Sequence, residues 1–366
     1  MEQVKITQLH IPFHQRIIIV SDLHADYDGF MQLLSKTQFT KDDLLIIVGD
    51  VIEKGKHSLK LLQTIIDLKK TYQIHVVMGN NEHFILELIY SNDDEMMQRI
   101  LSYKTHSLLI DMANVLNLSY QTIDEIKILK QEIIKHFKQE LNFLTQLPHI
   151  IKTNQAIFVH AGLLPQDLNH QDLEYCLTAP AFSTTSYHFD QPIIVGHWPV
   201  TNYFDTILNN NVYFNEVNNV ISLDGGNSMK SWQQINYLIL KDRQFHTGYI
   251  DSLLKIRALD SQQESLHPMS LSFPHTKIEI IKEEESLVEA YCPHLNQTLI
   301  FKSEQVYFYK NQTYCSDFTT YHLKVSQNDV LSFCKKLDDG ILCKHHGIIG
   351  IYKGSYEFIN QSSRKE

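Results

Sequence analysis

The chain has 366 residues, 43% of them hydrophobic and 20% charged, which is enough apolar material for one large domain with a smaller one beside it. A formal net charge of −10 argues against non-specific binding to nucleic acid or to a membrane surface. No apolar run approaches the roughly 20 residues that span a bilayer, Met1–Gln15 has no leader-like pattern, and five scattered cysteines fit a reducing, cytoplasmic setting better than a disulfide framework.

In chain order, the first apolar run is Ile17-Ile18-Ile19-Val20, which stops at Ser21-Asp22-Leu23-His24. Asp26–Lys36 follows with helical spacing. Leu44–Val48 stops at Gly49-Asp50, Leu59–Lys70 is again helical, and Ile74–Met78 stops at Gly79-Asn80. Continuous apolar runs of this length predict strands buried on both faces, and crossover helices between them make the strands parallel. Residues at the strand ends then collect along one carboxyl edge, where sites form in such sheets. Residues 84–147 are poor in Gly and Pro and predict an insertion of two to four helices. Within it, Ile123–Phe143 reads as amphipathic, with Lys127, Lys130, Lys135 and Lys138 on a solvated face. Ala156–Val159 then ends in His160-Ala161-Gly162, and Pro192–Val195 ends in Gly196-His197. Val212–Phe214, Val220–Leu223 and Ile235–Leu240 predict the last strands of this domain, with Asp224 in a supporting rather than a ligating position.

Residues 251–274 lose periodicity and read as a linker. Beyond them, short alternating runs from Lys277 to Tyr352 predict a small C-terminal β-barrel. The boundaries expected are therefore 1–250, 251–274 and 275–366. Cys292, His294, Cys315, Cys334, Cys343, His345 and His346 lack the paired spacing of a structural zinc site, so buried thiols are the expected reading.

Five strand ends thus deliver Asp22, His24, Asp50, Asn80, His160 and His197 to one rim. Any one of them alone would read as a cap or a core histidine. Together, carboxylates and neutral imidazoles suit Mn, Fe or Zn, and an Asp can bridge two ions. A two-metal site of this kind activates water and clamps phosphoryl oxygens.

These segments, with Gly79-Asn80-Asn81-Glu82, resemble the ordered motifs of calcineurin-like metallophosphoesterases over about Ile17–Tyr237. They are most similar to the bacterial phosphoprotein phosphatase and symmetrical diadenosine tetraphosphatase branch. The resemblance implies an α/β fold, a layered β-sheet sandwich covered by helices. It implies Asp22, His24 and Asp50 at one divalent ion and Asp50, Asn80, His160 and His197 at a second, with Mn²⁺ expected and Fe or Zn as alternatives. Asn80 and Lys54 would hold the substrate. Three departures stand out. Ser21 and Ala25 replace glycines of the first motif, and Lys54 replaces an Arg, trading a bidentate fork for a point charge. Asn81 replaces the His that protonates the leaving group, a role worth roughly 10²–10⁴-fold that Asn cannot fill; His83 is the candidate substitute. Leu163–Asp190 contains no Arg for a second phosphate clamp. The expected function is a dinuclear phosphatase acting on phosphoproteins. Symmetrical hydrolysis of diadenosine tetraphosphate and non-catalytic phosphate binding are the alternatives. The last domain resembles bacterial SH3-like domains and implies protein docking or dimerisation.

Overall fold

The computed structural model describes residues 3–359 and divides into two units. One comprises the chain up to Pro199 with Asn211–Ser252, and the other comprises Val200–Asn210 with the chain from Leu253.

The first unit contains two sheets. In one, the strands run in the order Gln244–Ile250, Ile235–Lys241, Ile17–Val20, Leu44–Ile47, Gln73–Val76. The last three are parallel, in register Ile17 to Leu44 and Leu44 to Gln73. The second sheet runs Ile6–Leu9, Ile150–Thr153, Ile157–Val159, Ile193–Val195, Val220–Ser222, Tyr213–Asn215. Alternation along the central strands explains why they are apolar at every position. Ile17, Ile19 and Ile46 face Phe158, Ile194 and Ile221 of the second sheet, whereas Ile18, Val20, Leu45 and Ile47 face the helices. Each such side chain contributes about 1.5–3 kcal/mol by leaving water.

The sandwich agrees with the expected fold, but the strand ends are shared between its two sheets rather than lying on one. The fourth and fifth apolar runs pair with each other, and an apolar run alone cannot say which sheet it joins. Ile6–Leu9 and Gln244–Ile250 are edge strands of mixed polarity and had no legible run. The insertion folds as five helices, Asn80–Tyr90, Asp94–Tyr103, Leu108–Leu116, Ile123–His136 and Lys138–Thr145, not two to four. Side-chain caps divide it: Asp93, Ser107 and Thr122 accept from the backbone N–H groups of Met96, Leu109 and Glu125. Ile123–Phe143 is broken at Phe137, which leaves helical geometry at φ −107° and ψ 39°. Lys130, read as solvated, is buried, and its Nζ donates to Asp94 Oδ1 at 2.8 Å.

The second unit is built from antiparallel strands. One sheet has the order Ile348–Tyr352, Gly340–His345, Val330–Leu337, Lys255–Ala258, Tyr356–Phe358. Another has the order Gln297–Lys302, Leu287–Cys292, Lys277–Glu283, Gln312–Cys315, Val306–Tyr309. Among the described residues neither sheet closes into a barrel. Residues 251–274 are not bare linker, because Lys255–Ala258 is paired on both sides within the first of these sheets. Cys343 lies in one core and Cys292 and Cys315 in another, so no zinc cluster gathers among the described residues. Among the described residues no helix is long and apolar enough to cross a membrane.

Candidate metal centre

The central residues sit on unusual backbone. Asp22, His24, Asp50 and His197 have φ of 51°, 45°, 52° and 64°. Left-handed backbone at a residue with a Cβ is uncommon, costs on the order of 1–3 kcal/mol and concentrates at functional sites. Here it turns each side chain off the end of its strand. Two glycines are required by close approach. A Cβ on Gly196 would lie 2.1 Å from Asp22 Oδ2, and one on Gly79 would lie 2.3 Å from Asp50 N.

Two groups of donor atoms share Asp50. Asp22, His24 and Asp50 are all buried and offer ligand atoms within 4.8 Å of one another. His24 Nε2 is 3.9 Å from both Asp22 Oδ1 and Asp50 Oδ2. On the other side, Asn80 Oδ1 lies 2.9 Å from both His160 Nε2 and His197 Nδ1, and His160 Nε2 lies 3.5 Å from Asp50 Oδ1. The two sheets meet here: the His197 N–H donates to Asp22 Oδ2 at 3.0 Å. All six residues predicted from the sequence therefore lie at one centre.

The chemistry of this set fits divalent cations. His160 Nδ1 lies 3.0 Å from the Val48 carbonyl, which can only accept. In the neutral ring the proton is then on Nδ1 and the Nε2 lone pair points toward Asn80 Oδ1, the arrangement of a ligand pair. Burial, then the Lys54 charge, lowers His24 to about 3. Burial, then His160, lowers His197 to about 4, so both rings keep a lone pair. Asp22 is pushed well above the carboxylate range by burial and by the charges of Asp224 and Asp50. Burial alone would also raise Asp50, but His160, His24 and Lys54 outweigh it and hold the group low. A cation relieves this crowding of buried carboxylates. Lys54 takes part of that role, its charge lowering both Asp50 and Asp224, and its Nζ lies 3.2 Å from His24 Nε2 and 3.0 Å from Met229 Sδ.

Asn81 turns its backbone and its side-chain amide toward Asp50. Its N–H donates to Asp50 Oδ1 at 3.0 Å and its Nδ2 to Asp50 Oδ2, so it orients Asp50. His83 lines a cleft beside Asn80, with Nδ1 3.7 Å from Glu87 Oε2. Two groups lie behind the ligand set: Glu82, which carried no assigned role in the sequence, and Asp224, which was expected in a supporting position. Glu82 is fully buried and accepts from the N–H groups of Asp50, Val51, Ile52 and Gly79 at 2.9–3.1 Å, fixing the turn that carries Asp50. Asp224 is also fully buried, and burial raises it to about 6. Its signal was the Asp-Gly-Gly turn, where its Oδ1 accepts from Gly226 N.

A family model described as calcineurin-like phosphoesterase matches residues 15–220. Among curated proteins, the symmetrical bis(5'-nucleosyl)-tetraphosphatase of Wigglesworthia glossinidia brevipalpis is 30% identical over 154 residues, which are 40% of this chain and 45% of that one. Serine/threonine-protein phosphatase 2 of Salmonella typhimurium is 31% identical over 94 residues, 25% of this chain and 41% of that one. The asymmetrical bis(5'-nucleosyl)-tetraphosphatase PrpE of Oceanobacillus iheyensis is 25% identical over 210 residues, 50% of this chain and 78% of that one. The chain thus spans under half the length of the first two of these relatives.

Proposed function

The chain belongs to the calcineurin-like phosphoesterase family, and from that premise we propose that it hydrolyses phosphate esters, acting first as a phosphoprotein phosphatase. The observation that carries this reading is the convergence of six donor side chains from two sheets with Asp50 common to both groups. Asp22, His24 and Asp50 would hold one divalent ion, and Asp50, Asn80, His160 and His197 a second. Mn²⁺ is our assignment for both, since neutral imidazoles with carboxylates suit it, as they suit Fe or Zn. Such a pair, when bound, supplies an activated water and a clamp on phosphoryl oxygens.

The remaining work falls to the chain itself. Asn80 and Lys54 orient the phosphoryl group, Lys54 as a point charge without a bidentate fork. Asn81 keeps Asp50 in place through its two bonds. His83, one turn along the helix from Asn80, is the candidate proton donor to the leaving oxygen. Symmetrical cleavage of diadenosine tetraphosphate is the second reading, supported by the name of the Wigglesworthia relative. A protein that binds phosphate without turning it over is a third, supported by Asn81 in place of an acid. We further propose that the strand-rich second unit is SH3-like and serves docking or dimerisation. A cytoplasmic setting is supported by the buried, unbridged thiols of Cys176, Cys292, Cys315 and Cys343.

The test is release of p-nitrophenol from p-nitrophenyl phosphate with Mn²⁺. Asp50→Asn should lower turnover at least about 100-fold, the upper end for losing even a group that only orients a metal ligand. Absence of turnover of both p-nitrophenyl phosphate and diadenosine tetraphosphate in the metal-loaded wild type would leave the binding reading.

A further inference from the structure

Two clefts begin at residues of the centre. One, of about 370 Å³, starts at Lys54 and is lined by Lys56, His57 and His106 together with Asp26 and Asp28. The other, of about 580 Å³, starts at Asn80 and has a different character. One wall is a single face of helix Asn80–Tyr90, where Asn80, His83, Phe84 and Glu87 follow the i, i+3, i+4, i+7 spacing that aligns side chains along a helix. The opposite wall comes from the segment around helix Leu173–Thr178. Phe84, Leu173 and Leu177 supply the apolar surface, and Glu87, Asp172 and Glu174 the charge. Glu87 and Glu174 are exposed, and Asp172 caps the helix by accepting from Tyr175 N at 2.8 Å. No Lys or Arg is among the described residues lining this cleft.

We propose that this cleft is a specificity subsite for a basic side chain of a phosphorylated peptide, the peptide being the leaving group of the hydrolysis. The proposal rests on the phosphoesterase reading above. An Arg or Lys stem covers apolar surface while its charged head stays in water, and it fits Phe84 and Leu173 with the carboxylates at the rim. The geometry also sets a register. Asn80 and Glu87 are seven residues apart on a helix, about 10 Å at 1.5 Å per residue. An extended peptide covers that distance in about three residues, so the basic position is two or three residues from the phosphorylated one. A nucleoside polyphosphate would instead carry its own negative charges past Glu87, Asp172 and Glu174, a like-charge placement that disfavours it.

The experiment uses the full chain with Mn²⁺ and phosphoserine peptides that carry Arg, Ala or Glu two and three residues from the phosphoserine. Diadenosine tetraphosphate and p-nitrophenyl phosphate are run beside them. The Arg peptide should exceed the Glu peptide in kcat/KM by about tenfold at low salt, with the ratio shrinking as salt screens exposed charges. Glu87→Lys combined with Glu174→Lys should invert that ratio. Fluorescence anisotropy of labelled, unphosphorylated versions of the same peptides gives the ratio without turnover. Equal Arg and Glu ratios, or better turnover of the tetraphosphate than of the Arg peptide, would overturn the subsite. If p-nitrophenyl phosphate is hydrolysed without an Arg preference, the subsite fails and the phosphoesterase reading stands. If nothing is hydrolysed, that reading fails and the anisotropy ratio alone decides the subsite.

Discussion

At the scale of single residues, polar contacts at strand starts matter as much as those at strand ends. Arg16 and Asp43 each precede one of two adjacent parallel strands, and Leu44 N donates to Arg16 O at 3.0 Å. Asp43 accepts from Arg16 Nε at 2.8 Å and Nη2 at 2.6 Å, and from Thr40 N at 2.7 Å. This cluster pins the register that delivers Asp22 and Asp50 to the same edge. Burial pushes the Asp43 carboxyl up, but the bonds from Arg16 and Thr40 outweigh it and hold its pKa below the usual value. Asp43 therefore binds its proton less tightly folded than unfolded. Its stabilisation is fully present above the unfolded value of about 4 and is lost as pH falls through the folded value. Asp43→Asn should cost about 1–2 kcal/mol in urea unfolding at pH 7, in line with charge-assisted hydrogen bonds. The gap should narrow below about pH 4. A gap of constant size across that range would mean that neutral hydrogen bonds, and not the charge, carry the contact.

At the scale of elements, the helical insertion is tied to the centre through Glu53. This residue is fully buried at φ 70°, next to Lys54 at φ 65°. Its carboxylate accepts from Ser107 Oγ and Leu108 N, both at 2.7 Å, and pairs with Lys104. The start of helix Leu108–Leu116 and the end of helix Asp94–Tyr103 thereby hold the loop that carries Lys54. Glu53→Ala leaves Lys104 and Ser107 without this partner. A loss of about 2–4 kcal/mol is expected, slightly below that for breaking a fully buried pair, because Lys104 is partly exposed. Lys54 would also lose its fixed position, so KM for p-nitrophenyl phosphate should rise more than kcat falls. A variant with unchanged unfolding and unchanged KM would contradict this coupling. Nothing in Glu53-Lys54-Gly55 signals the contact, since its partners lie 51–55 residues on.

At the scale of the whole molecule, the site was more legible than the architecture that builds it. Asp22, Asp50, Asn80, His160 and His197 each follow an apolar run closely, and that local pattern survives whichever sheet the run joins. The division into two sheets was not legible, because Ile157–Val159 and Ile193–Val195 are as apolar as Ile17–Val20 and differ from it only in their long-range partners. Asn81 was legible as a departure from an acid, whereas its bonds to Asp50 depend on the turn held by Glu82. The second unit was legible as β-structure, but its two five-stranded sheets read as one small barrel because alternation within short strands does not specify which strands pair.

The central claim is that Asp22 and His24 from one sheet and His160 and His197 from the other hold two ions that share Asp50. The most direct measurement is Mn²⁺ stoichiometry with electron paramagnetic resonance on the wild type and Asp50→Asn. Two ions per chain with a spin-coupled signal that is lost in Asp50→Asn is the predicted result. One isolated ion per chain, or coupling that survives in Asp50→Asn, would contradict it.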